Sequence, residues 1–227
     1  MLIVTWNMRG NAFADAKWSL LKSFRTDVAV LQEARLPSGV IGHASRRHIK
    51  PAVDRDDVVI ITTNPSVCRA LPDTAHGQAL EVHVGGLAIF GLRSYPQLKE
   101  YYPKALLRIV ESIAAVIGNH TGVPAVIAGD FNASLDQGPG RDWAPPFRRL
   151  HELRFYDALC VKNEYDERSL PCRLEHGKTF RCSKGQYRID HLYVNRPMAK
   201  RMRDVWIAQE GWKLSDHCPV IADFRED

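Results

Sequence analysis

Three apolar runs of this chain end on a carboxylate or a carboxamide. Residues 2–5 run into Trp6 and Asn7, residues 28–31 into Gln32 and Glu33, and residues 125–128 into Gly129, Asp130, Phe131 and Asn132. Two later runs begin from the same kind of group: Asp190 precedes residues 191–194, and Ser215, Asp216 and His217 precede residues 219–224. If these runs are strands whose neighbours pair antiparallel, exits and entries share one edge. Asn7, Glu33, Asp130, Asn132, Asp190, Asp216 and His217 would then converge there. Carboxylates gathered without a Lys or Arg partner repel by about 4 kcal/mol for each pair 4 Å apart, at an effective dielectric near 20. A divalent cation is the natural way to hold them. Taken singly, Asn7 could cap a turn and Asp130 could be an ordinary turn acid; the set at five run edges carries the chemistry.

The elements that must position these groups are short. β-Branched runs recur at residues 2–5, 28–31, 58–62, 80–84, 87–92, 125–128, 191–194, 205–208 and 219–224, each ended by turn or polar residues, and they read as strands. Residues 16–24 and 104–117 carry apolar side chains three and four apart and read as amphipathic helices, the second stopped by Gly118 and the Gly122-Val123-Pro124 turn. Many strands and few helices point to an α/β protein with two packed sheets flanked by helices. No repeat, low-complexity tract or linker divides residues 1–227, so a single domain is expected.

With 227 residues and 45% hydrophobic content the chain can bury a continuous core, which excludes disordered and collagen-like classes. No run approaches the ~18 apolar residues of a membrane helix, and the opening turns polar too early for a signal peptide. Five cysteines, an odd number without a CxxC pair, argue against a disulfide framework or a zinc site, so reduced thiols in a cytoplasm are expected; a monomer is expected too. The net charge is +5, but residues 173–203 hold nine cations against Glu175 and Asp190, a local +7. Such a segment concentrates anionic ligands, polyphosphate backbones above all. A charge run is most often only a solvated face; this one also holds Phe180, Tyr187 and Asp190.

The strings Thr5-Trp6-Asn7, Leu31-Gln32-Glu33, Gly129-Asp130-Phe131-Asn132, Arg188-Ile189-Asp190 and Ser215-Asp216-His217 resemble, in order, the signatures of the endonuclease/exonuclease/phosphatase superfamily of deoxyribonuclease-I-like phosphodiesterases. The resemblance implies a four-layered α/β sandwich and Mg²⁺-dependent attack of water on a phosphate ester, with Mn²⁺ as a substitute ion. It implies Glu33 as principal metal ligand with Asn7 and Asp216 near the same ion. Asp130 would position or deprotonate the water, Asn132 would steady the phosphate, and Asp190 would fix His217, which donates to a phosphate oxygen. The other histidines lack motif support, and Trp6, Trp18 and Trp206 read as core residues.

One departure stands out. Relatives carry a histidine or a tyrosine at the end of the strand that corresponds to residues 87–92, and here Arg93 follows, with Tyr95 beyond it. Arg93 would then replace the second phosphate-contacting group of those relatives, unless Tyr95 reaches in instead; an arginine neutralises a phosphate oxygen but is no general acid at any accessible pH. The late motif lacks the string of the inositol-polyphosphate phosphatases and is similar to that of the abasic-site nucleases, with Tyr187 before Arg188 and Phe180 upstream. Aromatic faces among Arg181, Lys184 and Arg188 suit stacking above a charged backbone track. The first forty residues also resemble the nuclease subunit of bacterial genotoxins, through Thr5-Trp6-Asn7-Met8, Lys17-Trp18 and Leu31-Gln32-Glu33-Ala34. A nuclease is therefore expected, with nucleic acid and specifically DNA as partner, cutting internally or from an end. The alternatives are a phospholipid or phosphoinositide phosphatase or phosphodiesterase of the same fold, touching lipid through residues 139–146 with Trp143, and a phosphate-binding module without catalysis.

Overall fold

The computed structural model describes residues 1–10, 14–37, 44–47, 56–63, 67–71, 78–96, 100–118, 122–135, 143–163 and 177–226. In chain order the elements are β1 (Leu2–Asn7), α1 (Ala14–Ser23), β2 (Val28–Ala34), β3 (Ala44–Arg47), β4 (Asp56–Thr62), β5 (Val67–Ala70), β6 (Ala79–Val84) and β7 (Leu87–Arg93). There follow α2 (Tyr102–Ile117), β8 (Ala125–Asp130), α3 (Ala144–Glu152), β9 (Phe155–Asp157), α4 (Ala158–Lys162), β10 (Phe180–Cys182), β11 (Gly185–Tyr187), β12 (Asp190–Asn195), α5 (Arg196–Arg201), β13 (Met202–Ile207) and β14 (Val220–Phe224). One six-stranded sheet runs β13-β14-β1-β2-β4-β3 and the other β5-β6-β7-β8-β12-β9, with β10 and β11 as a separate hairpin.

Alternation along each strand builds the layers. Ile3, Val28, Val30, Val58 and Ile60 of the first sheet meet Leu80, Val82, Ile89, Val126, Ala128, Leu192 and Val194 of the second in one buried core. The intervening residues face outward: Val4, Trp6, Ala29, Leu31 and Val59 pack under Trp18 and Leu21 of α1. On the far side Ala88, Phe90, Leu92 and Ile127 pack under Leu106, Ile109, Val110 and Ile113 of α2 and Phe147 of α3. The result is the helix–sheet–sheet–helix sandwich expected. Burial on both faces explains why these strands read as continuous apolar runs instead of apolar–polar alternation.

All nine expected strands and both expected helices are present, with bounds shifted by a few residues. Pairing within the sheets is mixed. β1 lies parallel to β2 and antiparallel to β14, and β7 lies parallel to β8, which is antiparallel to β12. Parallel neighbours both exit at one end and antiparallel ones enter there, so Asn7, Glu33, Arg93, Asp130, Asp190 and the segment before β14 share an edge. Gly129 is the residue that lets β8 reach β7. Its φ is 152°, and a Cβ there would lie 1.9 Å from the Leu92 carbonyl oxygen, so any side chain would push the two strands apart.

The cysteines depart from expectation. Cys160 is disulfide-bonded, whereas Cys68, Cys182 and Cys218 remain thiols. This removes the thiol-based reason for placing the chain in a reducing cytoplasm. No helix among the described residues is long and apolar enough to cross a membrane.

Candidate active site

The edge shared by both sheets holds a buried polar cluster in two adjoining halves. In the first, Asp190 and Asp130 are opposite one another in the β12–β8 ladder. His217 Nδ1 lies 2.8 Å and 3.1 Å from the two Asp190 carboxylate oxygens. The backbone pins both residues. Trp6 Nε1 donates to the His217 carbonyl at 2.9 Å, the His217 amide donates to Ser215 Oγ, and the Asp190 and Ile189 amides both donate to Thr179 Oγ1. Phe180 forms a bridge with His217 and sets its ring 4.7 Å from the imidazole.

Electrostatics makes this half a proton-carrying one. Burial alone would lower the His217 pKa, but the Asp190 charge, its hydrogen bond, and the further charges of Asp130 and Asp216 outweigh it and push the imidazole up to about 9. His217 is therefore an imidazolium at neutral pH. Asp130 is pushed up to about 6 by burial and by the neighbouring Asp190, against the pull of His217, Arg93 and the Asn7 hydrogen bond. Its carboxylate accepts from the Asn132 amide at 2.9 Å, from Asn7 Nδ2 at 2.9 Å and from Asn132 Nδ2 at 3.1 Å. Asn132, with a left-handed φ of 49°, also donates to the Ser94 carbonyl.

The second half gathers around Glu33. Its backbone is likewise left-handed, φ 50°, an uncommon conformation outside glycine that concentrates at functional sites. Asn7 Nδ2 reaches Glu33 Oε1 at 3.3 Å, while Arg93 Nη2 sits 2.5 Å from the same oxygen. Arg93 Nη1 binds Asp57 Oδ1 at 2.7 Å, and Tyr95 donates its hydroxyl to Asp57 Oδ2 at 2.6 Å. Asp216 pairs with Arg9. Lys17, 1% exposed, donates to the Met8 carbonyl; burial lowers its pKa, and Asp216 and Glu33 act against that shift.

The acids thus have cationic partners, contrary to the reading of their sequence spacing. Arg93 lies sixty residues from Glu33 in sequence and becomes its neighbour only because β7 runs to the same edge. Asp57 went unnoticed, although it obeys the same rule as the others: a carboxylate at the entry of an apolar strand on this edge. Arg9 and Thr179 carry no sequence signal beyond proximity to a motif, and Lys17 stands in one of the resembling strings without a role attached to it. Among the proposed substrate contacts, Arg181 and Lys184 are exposed on the β10–β11 hairpin, with Phe180 and Tyr187 half-buried on it. Arg181 lies over the Trp212 ring at 5.2 Å, and Tyr187 donates to the Lys184 carbonyl. Arg188 is placed otherwise, its Nη2 bound 2.9 Å from buried Asp157, which also accepts from His191. Arg173 and Glu175 of the basic segment lie outside the described residues. Trp143 is buried at 4% exposure in the core beneath α3, so it is no lipid-touching protrusion; residues 139–142 of that loop lie outside the described residues.

Asp130, Asp190 and His217 each offer a ligand atom within 4.8 Å of the others and could hold a metal ion among them. Within this trio the His217 Nδ1 is already bound to Asp190. Glu33 and Asp216 offer the hard carboxylate oxygens that Mg²⁺ prefers, each paired with an arginine, while Asn7 turns Nδ2 toward Glu33 and takes the Arg9 amide on Oδ1.

The Endonuclease/Exonuclease/phosphatase family model matches residues 4–217, and the chain belongs to that family. It is a hydrolase of phosphate esters. Solved structures share the fold: an AP endonuclease from Archaeoglobus fulgidus is 18% identical with a TM-score of 0.77, each chain covering 100% of the other. The 3' phosphatase NExo from Neisseria, bound to product DNA hairpin, is 21% identical with a TM-score of 0.75, again over 100% of both chains. The catalytic domain of Xenopus laevis APE2 is 18% identical with a TM-score of 0.69, over 99% of this chain and 91% of that one. No curated protein matches the sequence.

Proposed function

We propose that residues 1–227 form one nuclease domain that hydrolyses DNA with Mg²⁺, or Mn²⁺ in its place, as a monomer. The observation that carries this reading is the His217 imidazole, clamped by Asp190 beside the buried carboxylate of Asp130, at the foot of an exposed cationic hairpin. Glu33 would hold the ion with Asn7 and Asp216. When bound, the ion supplies a Lewis acid at the phosphate and acidifies coordinated water.

The chain's own residues account for the rest. Asp130, with a pKa near 6, is ionised at neutral pH yet basic enough to accept a proton from the attacking water, the balance a general base needs. Asn132, tied to Asp130 and Ser94, presents its carboxamide beside that carboxylate and steadies the phosphate. His217 commits Nδ1 to Asp190, and its Nε2–H donates to a non-bridging oxygen as charge builds in the transition state. Arg181 and Lys184 follow the backbone of the strand, and Tyr187 stacks on a base or sugar.

Incubating purified protein with Mg²⁺ and plasmid DNA, an abasic duplex, RNA and a phosphoinositide set tests the reading. DNA cleavage that EDTA abolishes is expected. Nicking of closed circular plasmid marks an endonuclease, and loss of linear DNA alone an exonuclease. Hydrolysis of a phosphoinositide with every nucleic acid left intact overturns it in favour of a lipid phosphatase.

A further inference from the structure

We infer that Arg93 is a resident cation of the active site, locked between Glu33 and Asp57, so that the site takes one divalent ion per chain and holds it loosely. This rests on the proposed ion at Glu33. The guanidinium spans the two carboxylates, 2.5 Å from Glu33 Oε1 and 2.7 Å from Asp57 Oδ1, with its centre 5.4 Å from the Tyr95 ring centroid. Asp57 is the tether. Its side chain is 3% exposed, and its other oxygen accepts from Tyr95, so it holds Arg93 in one place. Neither partner can leave without stranding a buried charge.

Two consequences follow from that placement. The space between Glu33 and Asp57, which two acids would otherwise offer to a cation, already contains one. Any ion taken up by Glu33 shares its Oε1 environment with a permanent positive charge that no accessible pH removes. The guanidinium thereby supplies fixed charge where a second ion would act, at the expense of affinity for the first.

Mn²⁺ titration of the whole protein by calorimetry, with bound ions counted by electron paramagnetic resonance and no substrate present, tests this. The wild-type chain is expected to bind one Mn²⁺. Arg93→Met should bind Mn²⁺ roughly tenfold more tightly or accept a second ion, whereas Arg93→Lys, which keeps the charge, should stay within about threefold of wild type. If Arg93→Met fails to fold because Asp57 is left uncompensated, the double variant Arg93→Met with Asp57→Asn removes charge and tether together and should still bind Mn²⁺ more tightly than wild type, though by less than the single variant, because the cation beside Glu33 is gone while the net charge of the site is unchanged. Two ions in the wild type, or unchanged or weaker binding once Arg93 is removed, overturns the inference. Because no substrate is present, a protein that meets these expectations yet cleaves no DNA would sink only the nuclease reading.

Discussion

The two halves of the site solve the same electrostatic problem with different cations. Asp130 and Asp190 are offset by an imidazolium, Glu33 and Asp57 by a guanidinium. The imidazolium owes its charge to its surroundings and gives it up near pH 9; burial would lower the Arg93 pKa, but Glu33, Asp130 and Asp57 hold it above its ordinary value. The difference separates roles. The imidazolium can exchange a proton within the range where proteins work, and the guanidinium can only fix charge.

Breaking the guanidinium half at Glu33 should have the largest effect. Glu33→Gln removes the anion proposed to hold the metal while keeping the shape, and kcat on DNA should fall by several orders of magnitude with far-UV circular dichroism unchanged. Full turnover in that variant, or activity that persists in EDTA, removes the metal from Glu33. In the other half, Asp190→Asn and His217→Ala should each cost about 10² in rate or more, and the double variant little beyond either, because residues that act as a unit are non-additive. Additive losses in steady-state rates would show that the pair works separately.

The pH response sharpens the contrast, since the imidazolium titrates and the guanidinium does not. His217 has a folded pKa of about 9 against an ordinary 6.5, so its contribution to stability is fully present below pH 6.5 and is lost as pH rises through 9. Asp130 is raised to about 6 from 3.8, so the fold prefers it protonated, and that preference is lost as pH rises through 6. Both signs agree. Urea unfolding of the metal-free protein should show stability falling between pH 4 and pH 9.5, with the upper step absent in His217→Ala. Turnover should rise as Asp130 ionises and fall as His217 deprotonates. An imidazole resonance titrating near the ordinary value would contradict the clamp by Asp190.

How much of this was legible in the sequence divides along the same line. Asp130, Asp190 and His217 sit at the ends of long apolar strands, where the change from β-branched to polar residues marks the edge. Arg93 was noticed as a departure, but its partners were not, because ion pairing between β2, β4 and β7 depends on register and on which strands run parallel, neither of which periodicity specifies. The hairpin β10–β11 and the three-residue β9 were invisible for another reason. Their strands are too short to show a period, and the exposed hairpin has no apolar face. Helix α3 opens with Ala144-Pro145-Pro146, which reads as a loop; prolines there are tolerated because the first-turn amides lack partners in any case. The disulfide at Cys160 had no spacing signal at all.

The smallest expected effect lies outside both halves, on the hairpin. Arg181 and Lys184 are exposed on this hairpin, whose Phe180 bridges His217, a position from which cations would neutralise phosphates of a strand entering the site. Log K for DNA should fall linearly with log salt, with a slope of about −0.9 per neutralised phosphate, and replacing both residues with Ala should flatten it by up to about two units. The two should not contribute equally. Arg181 is drawn over Trp212 and donates to its carbonyl, so part of its charge is engaged within the protein, whereas Lys184 is free to follow the backbone. Lys184→Ala alone should therefore take the larger share. Tyr187→Ala should cost roughly 1–3 kcal/mol with the slope unchanged, since stacking releases no counterions. Fluorescence anisotropy across a salt series separates these outcomes. A slope unaltered by the double variant would move the phosphate track off the hairpin, and a slope altered by Tyr187→Ala would show the ring to be positioning a cation instead of a base.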